Sequence, residues 1–188
     1  MRIVPPSLLL RILDDIYGRV ERLGVSPVVA GGLAVSYWGH PRSTQDIDLA
    51  VIVSDELDFE SGLRQANLIP AKGGRIVDLG FVRVSQWTVT FEEEYIDCEI
   101  DFLISNSSYH QEAIGRAIRC EFPGVTRPLR VLSCEDLLVF KAASGRLIDL
   151  ADIKTLVALH VRTLDYGYMR MKADELRLPT EFWLRTSG

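Results

Sequence analysis

Two short motifs, 13 residues apart, constrain this 188-residue chain more than any other feature. Gly31-Gly32 closes the aliphatic segment Ser26-Pro27-Val28-Val29-Ala30, and Asp46-Ile47-Asp48-Leu49 opens a longer apolar run ending at Val53. Such density of β-branched and aliphatic residues predicts strands. The glycine pair then falls at a strand-to-helix turn, before a short helix over 33–38 that Gly39 closes. In the second strand, alternate residues share a face, and Cα atoms two apart are separated by roughly 6.6 Å. Asp46 and Asp48 therefore point the same way, while Ile47 and Leu49 turn into apolar packing that holds them rigid. Two carboxylates so placed can converge on a hard cation, and without one each disfavours ionisation of the other. An amphipathic strand with a solvated outer face has the same pattern, so this spacing alone leaves both readings open.

A second acidic strand, expected over 95–104, adds to the first. Asp97, Glu99 and Asp101 alternate with Ile96, Cys98, Ile100 and Phe102, which puts all three acids on one face. If the two strands are neighbours, Asp101 joins a three-carboxylate cluster of the kind that holds two divalent ions about 3.5–4 Å apart. Asp97 and Glu99 are expected at the surface, and Glu92-Glu93-Glu94 in a solvated turn. Backbone N–H groups at the Gly31-Gly32 turn attract phosphate, and the missing side chains let a ligand approach. A tight turn needing positive φ explains the same pair. Arg42, Ser43 and Thr44 stand just before the acids, and the planar fork of Arg42 suits a phosphate or a surface carboxylate.

The rest of the chain reads as helices and strands in an α+β (α/β) arrangement, a mixed twisted sheet flanked by helices with a small helical part at the C-terminal end. Leu9, Leu13, Ile16, Val20 and Leu23 form an amphipathic stripe after Pro5-Pro6, and Gly24 stops it. A surface helix is expected over 55–66, a turn at Gly73-Gly74 and a strand over 82–91. Residues 129–132 look strand-like. Ser133-Cys134-Glu135-Asp136 is a helix-start pattern, and Gly145 ends that helix. Asp149 and Asp152 fit an N-cap and its N3 partner at the next helix, expected to run to His160, and a last helix is expected over 165–176. Lys141 lies between apolar neighbours, so its charged end must find a partner or water. The boundary is set at residue 110, with a core over 1–110 and a mainly helical extension, 111–188, packed on it.

Several classes are set aside. No apolar run approaches the roughly 20 residues that span a bilayer. The prolines at the start and the brief Leu8-Leu9-Leu10 run do not suit an export signal. Cys98, Cys120 and Cys134 have no C-x-x-C spacing, so reduced thiols and a cytoplasmic location are expected. His40, His110 and His160 lack zinc-ligand spacing, and Trp38, Trp87 and Trp183 are expected in the core or at its edge. The net charge of −5 argues against a general nucleic-acid binder, and nothing points to a sequence-specific DNA reader. The charge is uneven, with 9 basic and 16 acidic side chains in residues 1–110 and 12 and 10 in residues 111–188.

Gly31-Gly32, the spacer and Asp46-Ile47-Asp48-Leu49 together resemble the signature of the polymerase-beta-type nucleotidyltransferase superfamily. The form Gly-Gly … Pro41-Arg42-Ser43-Thr44-Gln45-Asp46-Ile47-Asp48 is most similar to bacterial abortive-infection toxin nucleotidyltransferases and their relatives. The run over 135–153, holding Lys141, Arg146, Asp149 and Asp152, is similar to that group's lysine … arginine … Asp-x-x-Asp region. The resemblance covers most of the chain in three blocks, the shortest being Ile100-Asp101-Phe102-Leu103. It implies a minimal nucleotidyltransferase fold that uses magnesium, two ions, at Asp46, Asp48 and Asp101, with Asp101 also placed to act as base. It implies a nucleoside triphosphate held by Gly31, Gly32, Arg42, Ser43, Thr44 and Lys141. The nucleotidyl group would pass to a hydroxyl on RNA, such as a tRNA end, or on a partner protein, within a toxin–antitoxin system. Many members have Gly-Ser where this chain has Gly31-Gly32, which leaves the triphosphate to backbone amides, Arg42, Ser43 and Lys141. Two other readings stand beside this one: an aminoglycoside-type small-molecule nucleotidyltransferase, and a non-catalytic antitoxin or scaffold module on the same fold.

Overall fold

Pro6 occupies the first helical position, where no backbone N–H is needed, and starts α1 (Pro6–Arg22). Leu9, Ile12, Leu13, Ile16 and Val20 are its buried stripe, at the three-and-four spacing of a helix that covers a core. The computed structural model describes residues 5–71, 77–78, 81–91, 96–105 and 107–179. After α1 come β1 (Val28–Val29), α2 (Gly31–Tyr37), β2 (Asp46–Val51), α3 (Glu56–Gln65), β3 (Ile69–Pro70) and β4 (Val77–Asp78). Then follow β5 (Arg83–Phe91), β6 (Ile96–Ile104), α4 (Ser108–Gly115), β7 (Ile118–Cys120) and β8 (Leu129–Val131). Three helices complete the described chain, α5 (Cys134–Ser144), α6 (Leu147–Leu159) and α7 (Tyr166–Glu175). The Gly73-Gly74 turn, the Glu92-Glu93-Glu94 run and Trp183 lie outside the described residues.

All eight strands join one mixed sheet in the order β3-β5-β6-β2-β1-β8-β7, with β4 also on β5. This is an α+β fold. β2 and β6 are parallel, with Ile47 level with Ile100, Asp48 with Asp101 and Leu49 with Phe102. Ile47, Leu49, Cys98, Ile100 and Phe102 share one face and are fully buried there. α3 covers this face through Phe59, whose ring meets Phe102 edge-on at 5.3 Å. Arg64 of α3 stacks over Trp87 on the same side, and Arg19 of α1 donates to the Ala66 carbonyl at 2.8 Å. The other face carries Asp46, Asp48 and Asp101 and is approached by α5. None of the helices among the described residues is long and apolar enough to cross a membrane.

The start of α5 is built as its sequence predicts: the Ser133 side chain accepts from the Asp136 N–H at 3.1 Å, and Gly145 closes the helix at φ +63°. The expected start of the next helix is corrected. α6 begins at Leu147 with Arg146 at the cap, so Asp149 lies inside its first turn. Neither Asp149 nor Asp152 caps it; both carboxylates are taken by cations instead.

Asp136, fully buried on α5, ties the helices together. It accepts hydrogen bonds from Ser133 (2.6 Å), Tyr168 of α7 (2.7 Å), Tyr109 of α4 (3.1 Å) and Arg116 just after α4 (3.1 Å). The Arg116 guanidinium also lies 4.0 Å above the Tyr168 ring. Four donors converge on one buried carboxylate, and removing it strands all of them. D136A should therefore cost about 3–5 kcal/mol and lower the thermal midpoint by roughly 10 °C. A midpoint within about 2 °C of the parent would show that α4 and α7 are held by other contacts.

Candidate active site

The ladder between β2 and β6 brings three acids together. One carboxylate oxygen from each of Asp46, Asp48 and Asp101 lies within 4.8 Å of the others. All three residues are half-buried. Burial, then the charges of Asp46 and Asp101, push the Asp48 carboxyl up to about 7 against the pull of Lys141 and Arg146. Burial, Asp46 and Glu99 push Asp101 up to about 6, while a hydrogen bond from the Gln86 side chain acts the other way. Asp101 Oδ1 is buried without a hydrogen-bond partner. Asp97 and Glu99 of the same strand are exposed, as expected.

The glycine pair is shaped by these acids. Gly31 adopts φ +53°, and a Cβ built on it would overlap the Asp48 carboxylate. A Cβ on Gly32 would lie 2.6 Å from Thr44 Oγ1, whose hydroxyl donates a short hydrogen bond to Asp46 Oδ1. Each glycine thus leaves room for one side chain of the following loop and strand, a close approach that any Cβ would block.

Asp48, Asp101 and Gly31 form one wall of a cavity of about 270 Å3. Gln86, Val84 and Leu103 extend that wall, and Phe140, Lys141, Ser144, Arg146 and Asp149 face it from α5 and the start of α6. The facing wall is a buried charge lattice. Lys141 Nζ donates to Asp149 (2.8 Å) and to Asp152 (2.7 Å). Asp152 also takes Arg42 at 2.6 Å, and Asp149 takes Arg146 at 2.6 Å. Despite burial, the Arg146 and Lys141 hydrogen bonds hold Asp149 down at about 2. Lys141 is 4% exposed, whereas Arg146 is 67% exposed at the cavity mouth. Its hydrogen bond to Asp149, reinforced by the negative charge of Asp48 and Asp46, raises the Arg146 pKa above its ordinary value.

The structure therefore gathers Asp48, Asp101, Gly31 and Lys141 around one cavity, with Asp46 joined to it through the three-carboxylate cluster. Arg42, Ser43 and Thr44 instead line a neighbouring groove of about 380 Å3 with Leu33, Tyr37 and Phe122. Thr44 connects the two through its hydrogen bond to Asp46. Sequence reasoning did not single out Gln86 or Ser144, and it left Arg146 in a motif without a role. The spacing Lys141, Arg146, Asp149, Asp152 was the available signal for the lattice. For Gln86 the signal was the hairpin register, in which Phe91 pairs with Ile96 and Gln86 falls opposite Asp101.

No family model and no curated protein matches the chain. Solved structures do. The antibiotic-resistance factor ANT(2″)-Ia in complex with adenylyl-2″-tobramycin aligns over 90% of this chain and 97% of its own, with TM-score 0.55 and 15% identity. The lincosamide antibiotic adenylyltransferase LnuA, lincomycin-bound, aligns over 84% and 99%, with TM-score 0.53 and 17% identity. An antigenic nucleotidyltransferase-like protein from Paracoccidioides brasiliensis aligns over 90% and 88%, with TM-score 0.52 and 15% identity. The likeness is one of fold: the chain has the nucleotidyltransferase fold.

The raised pKa values give a stability test. A carboxyl whose folded pKa exceeds its unfolded value binds its proton more tightly when folded. Its contribution is favourable below the unfolded value, near 4, and is lost as the pH rises to about 7 for Asp48. D48N, neutral throughout, escapes that loss. Without divalent cations its thermal midpoint should gain on the parent between pH 4 and pH 7.5, and magnesium at pH 7.5 should raise the parent's midpoint more than the variant's. A difference between the two proteins that does not change with pH would contradict the crowding of these acids.

Proposed function

We propose that the chain transfers a nucleotidyl group from a nucleoside triphosphate to a hydroxyl acceptor, using divalent cations of the magnesium type. The observation that carries this reading is the convergence of Asp46, Asp48 and Asp101 across a cavity from Arg146 and Lys141. The donor set fits the metal: it is all oxygen, as hard cations prefer, and Asp101 Oδ1 is buried without another partner. Bound there, magnesium would neutralise the carboxylates and draw electron density from the triphosphate oxygens.

The chain's own residues account for the remaining steps. Gly31, having no side chain, leaves the space in which the Asp48 carboxylate sits against the turn. Arg146 reaches the cavity from its exposed position and offers a planar fork to phosphate oxygens. Lys141, already shared by two carboxylates, adds positive potential from below while holding Asp149 and Asp152 in place. Arg42, tied to Asp152, fixes the loop from which Thr44 orients Asp46. The acceptor hydroxyl attacks the α-phosphate, its proton passes to Asp101, and pyrophosphate leaves with the bridging electron pair. Catalysis of this kind consists of positioning and charge stabilisation.

An RNA end, such as that of tRNA, or a partner protein is the acceptor that the sequence resemblance favours, within a toxin–antitoxin setting in the cytoplasm. The likeness over nearly the full length of two antibiotic adenylyltransferases supports a second reading, in which the acceptor is a small hydroxyl-bearing antibiotic. Incubating the protein with each labelled triphosphate, magnesium, and in turn total RNA, cell lysate, and a panel of aminoglycosides and lincosamides separates these. Label should enter one acceptor class, and D46N should reduce transfer by about 100-fold or more. Undiminished transfer by D46N would refute the assignment of the acids, and absence of label in every arm would favour the non-catalytic module.

A further inference from the structure

Gln86 lies on β5 directly opposite Asp101 of β6 in the antiparallel ladder. It shares the cavity wall with Asp48 and Asp101, and its side-chain amide hydrogen-bonds the Asp101 carboxyl. Asp101 Oδ1 is buried without a hydrogen-bond partner, which leaves that oxygen open to a ligand. The neighbours of Gln86 on that face of β5 are Val84, which is apolar, and Thr88, which stands opposite Glu99. Gln86 thus supplies an amide donor to Asp101 at the level of the three-acid cluster. We infer that Gln86 is a positioning residue: its amide fixes one oxygen of Asp101 so that Oδ1 is presented to the cation held between Asp46 and Asp48. This rests on the metal-binding reading of the site.

The physical case is one of rotation and charge. A carboxylate facing two like charges lowers its energy by turning away, and the Asp101 side chain has two torsions with which to do so. An amide N–H anchored on the neighbouring strand opposes that turn, because its hydrogen bond to an ionised oxygen is stronger than one to a neutral acceptor. The amide also stabilises the ionised form that a metal requires. Partners of this type orient a ligand without touching the metal, and losing one typically weakens metal affinity about 10–100-fold. Gln86 is suited to the role because it is neutral. A lysine or arginine at the same height would place a positive charge beside the cation, and a glutamate would add a fourth negative charge to the cluster.

The test is a Mn2+ titration of the full chain, followed by the electron paramagnetic resonance signal of free Mn2+ and paired with a thermal melt in the absence of metal. The parent should bind Mn2+. Q86M keeps the side-chain length without a donor, and Q86A removes the side chain beyond Cβ. Both should weaken Mn2+ binding about 10–100-fold with the melting midpoint within about 2 °C of the parent. T88V, on the same face of β5 and level with Glu99, should bind as the parent does, and D101N should lose at least as much affinity as Q86M. Affinity within twofold of the parent in both Gln86 variants would overturn the inference while leaving the metal site standing. Equal weakening by T88V would also overturn it, as a general effect of altering β5. No Mn2+ binding by the parent would overturn the metal reading itself and this inference with it.

Discussion

Asp48 is level with Asp101 in the parallel ladder between β2 and β6, and Asp46 stands on the same face two residues earlier. A slip of one residue in β2 would bury Asp46 and Asp48 and turn Ile47 and Leu49 to the polar side. Because these aliphatics and their neighbours on β6 are fully buried, apolar packing on one face of the sheet holds the acids together on the other. The charge repulsion is thus offset by hydrophobic burial that no side-chain rotation can undo. Burial first, and then the repulsion of Asp46 and Asp101, push the Asp48 carboxyl up to about 7.

The positive side of the cavity is organised by the same logic. Lys141 is buried with two carboxylates, so most of its charge is compensated where it stands. Its larger consequence is structural: Asp149 and Asp152, held by Lys141, receive Arg146 and Arg42 from two different segments. One arginine is thereby placed at the cavity mouth and the other is used to anchor the loop before β2. Buried ion pairs are weak as a source of net stability, and this one is better understood as fixing where two guanidinium groups sit. The diglycine turn completes the arrangement by leaving the space that Asp48 and Thr44 occupy.

Much of this was legible in the sequence because it depends on local patterns. The α1 stripe, the alternation in β2 and β6, and the Ser133 cap each follow from periodicity or from one hydrogen bond. Asp101 could be added to Asp46 and Asp48 on the condition that two strands were neighbours, a condition the sheet meets. What could not be read depends on long-range pairing or on weak local signal. β3, β4 and β7 have two or three residues each, too few for any period to show. Asp149 and Asp152 look like caps by position, and only the packing of α5 against α6 reveals that Lys141 takes both. Gln86 is one polar residue among several in an alternating strand until register sets it against Asp101.

A cation held jointly by two strands is the centre of the proposed site. A crystal of the full chain soaked in Mn2+, with diffraction collected at the manganese absorption edge, addresses it most directly. The account predicts an anomalous peak with an oxygen of each of Asp46, Asp48 and Asp101 about 2.0–2.3 Å away. Manganese bound elsewhere, or a site with Asp101 turned away from it, would contradict the account.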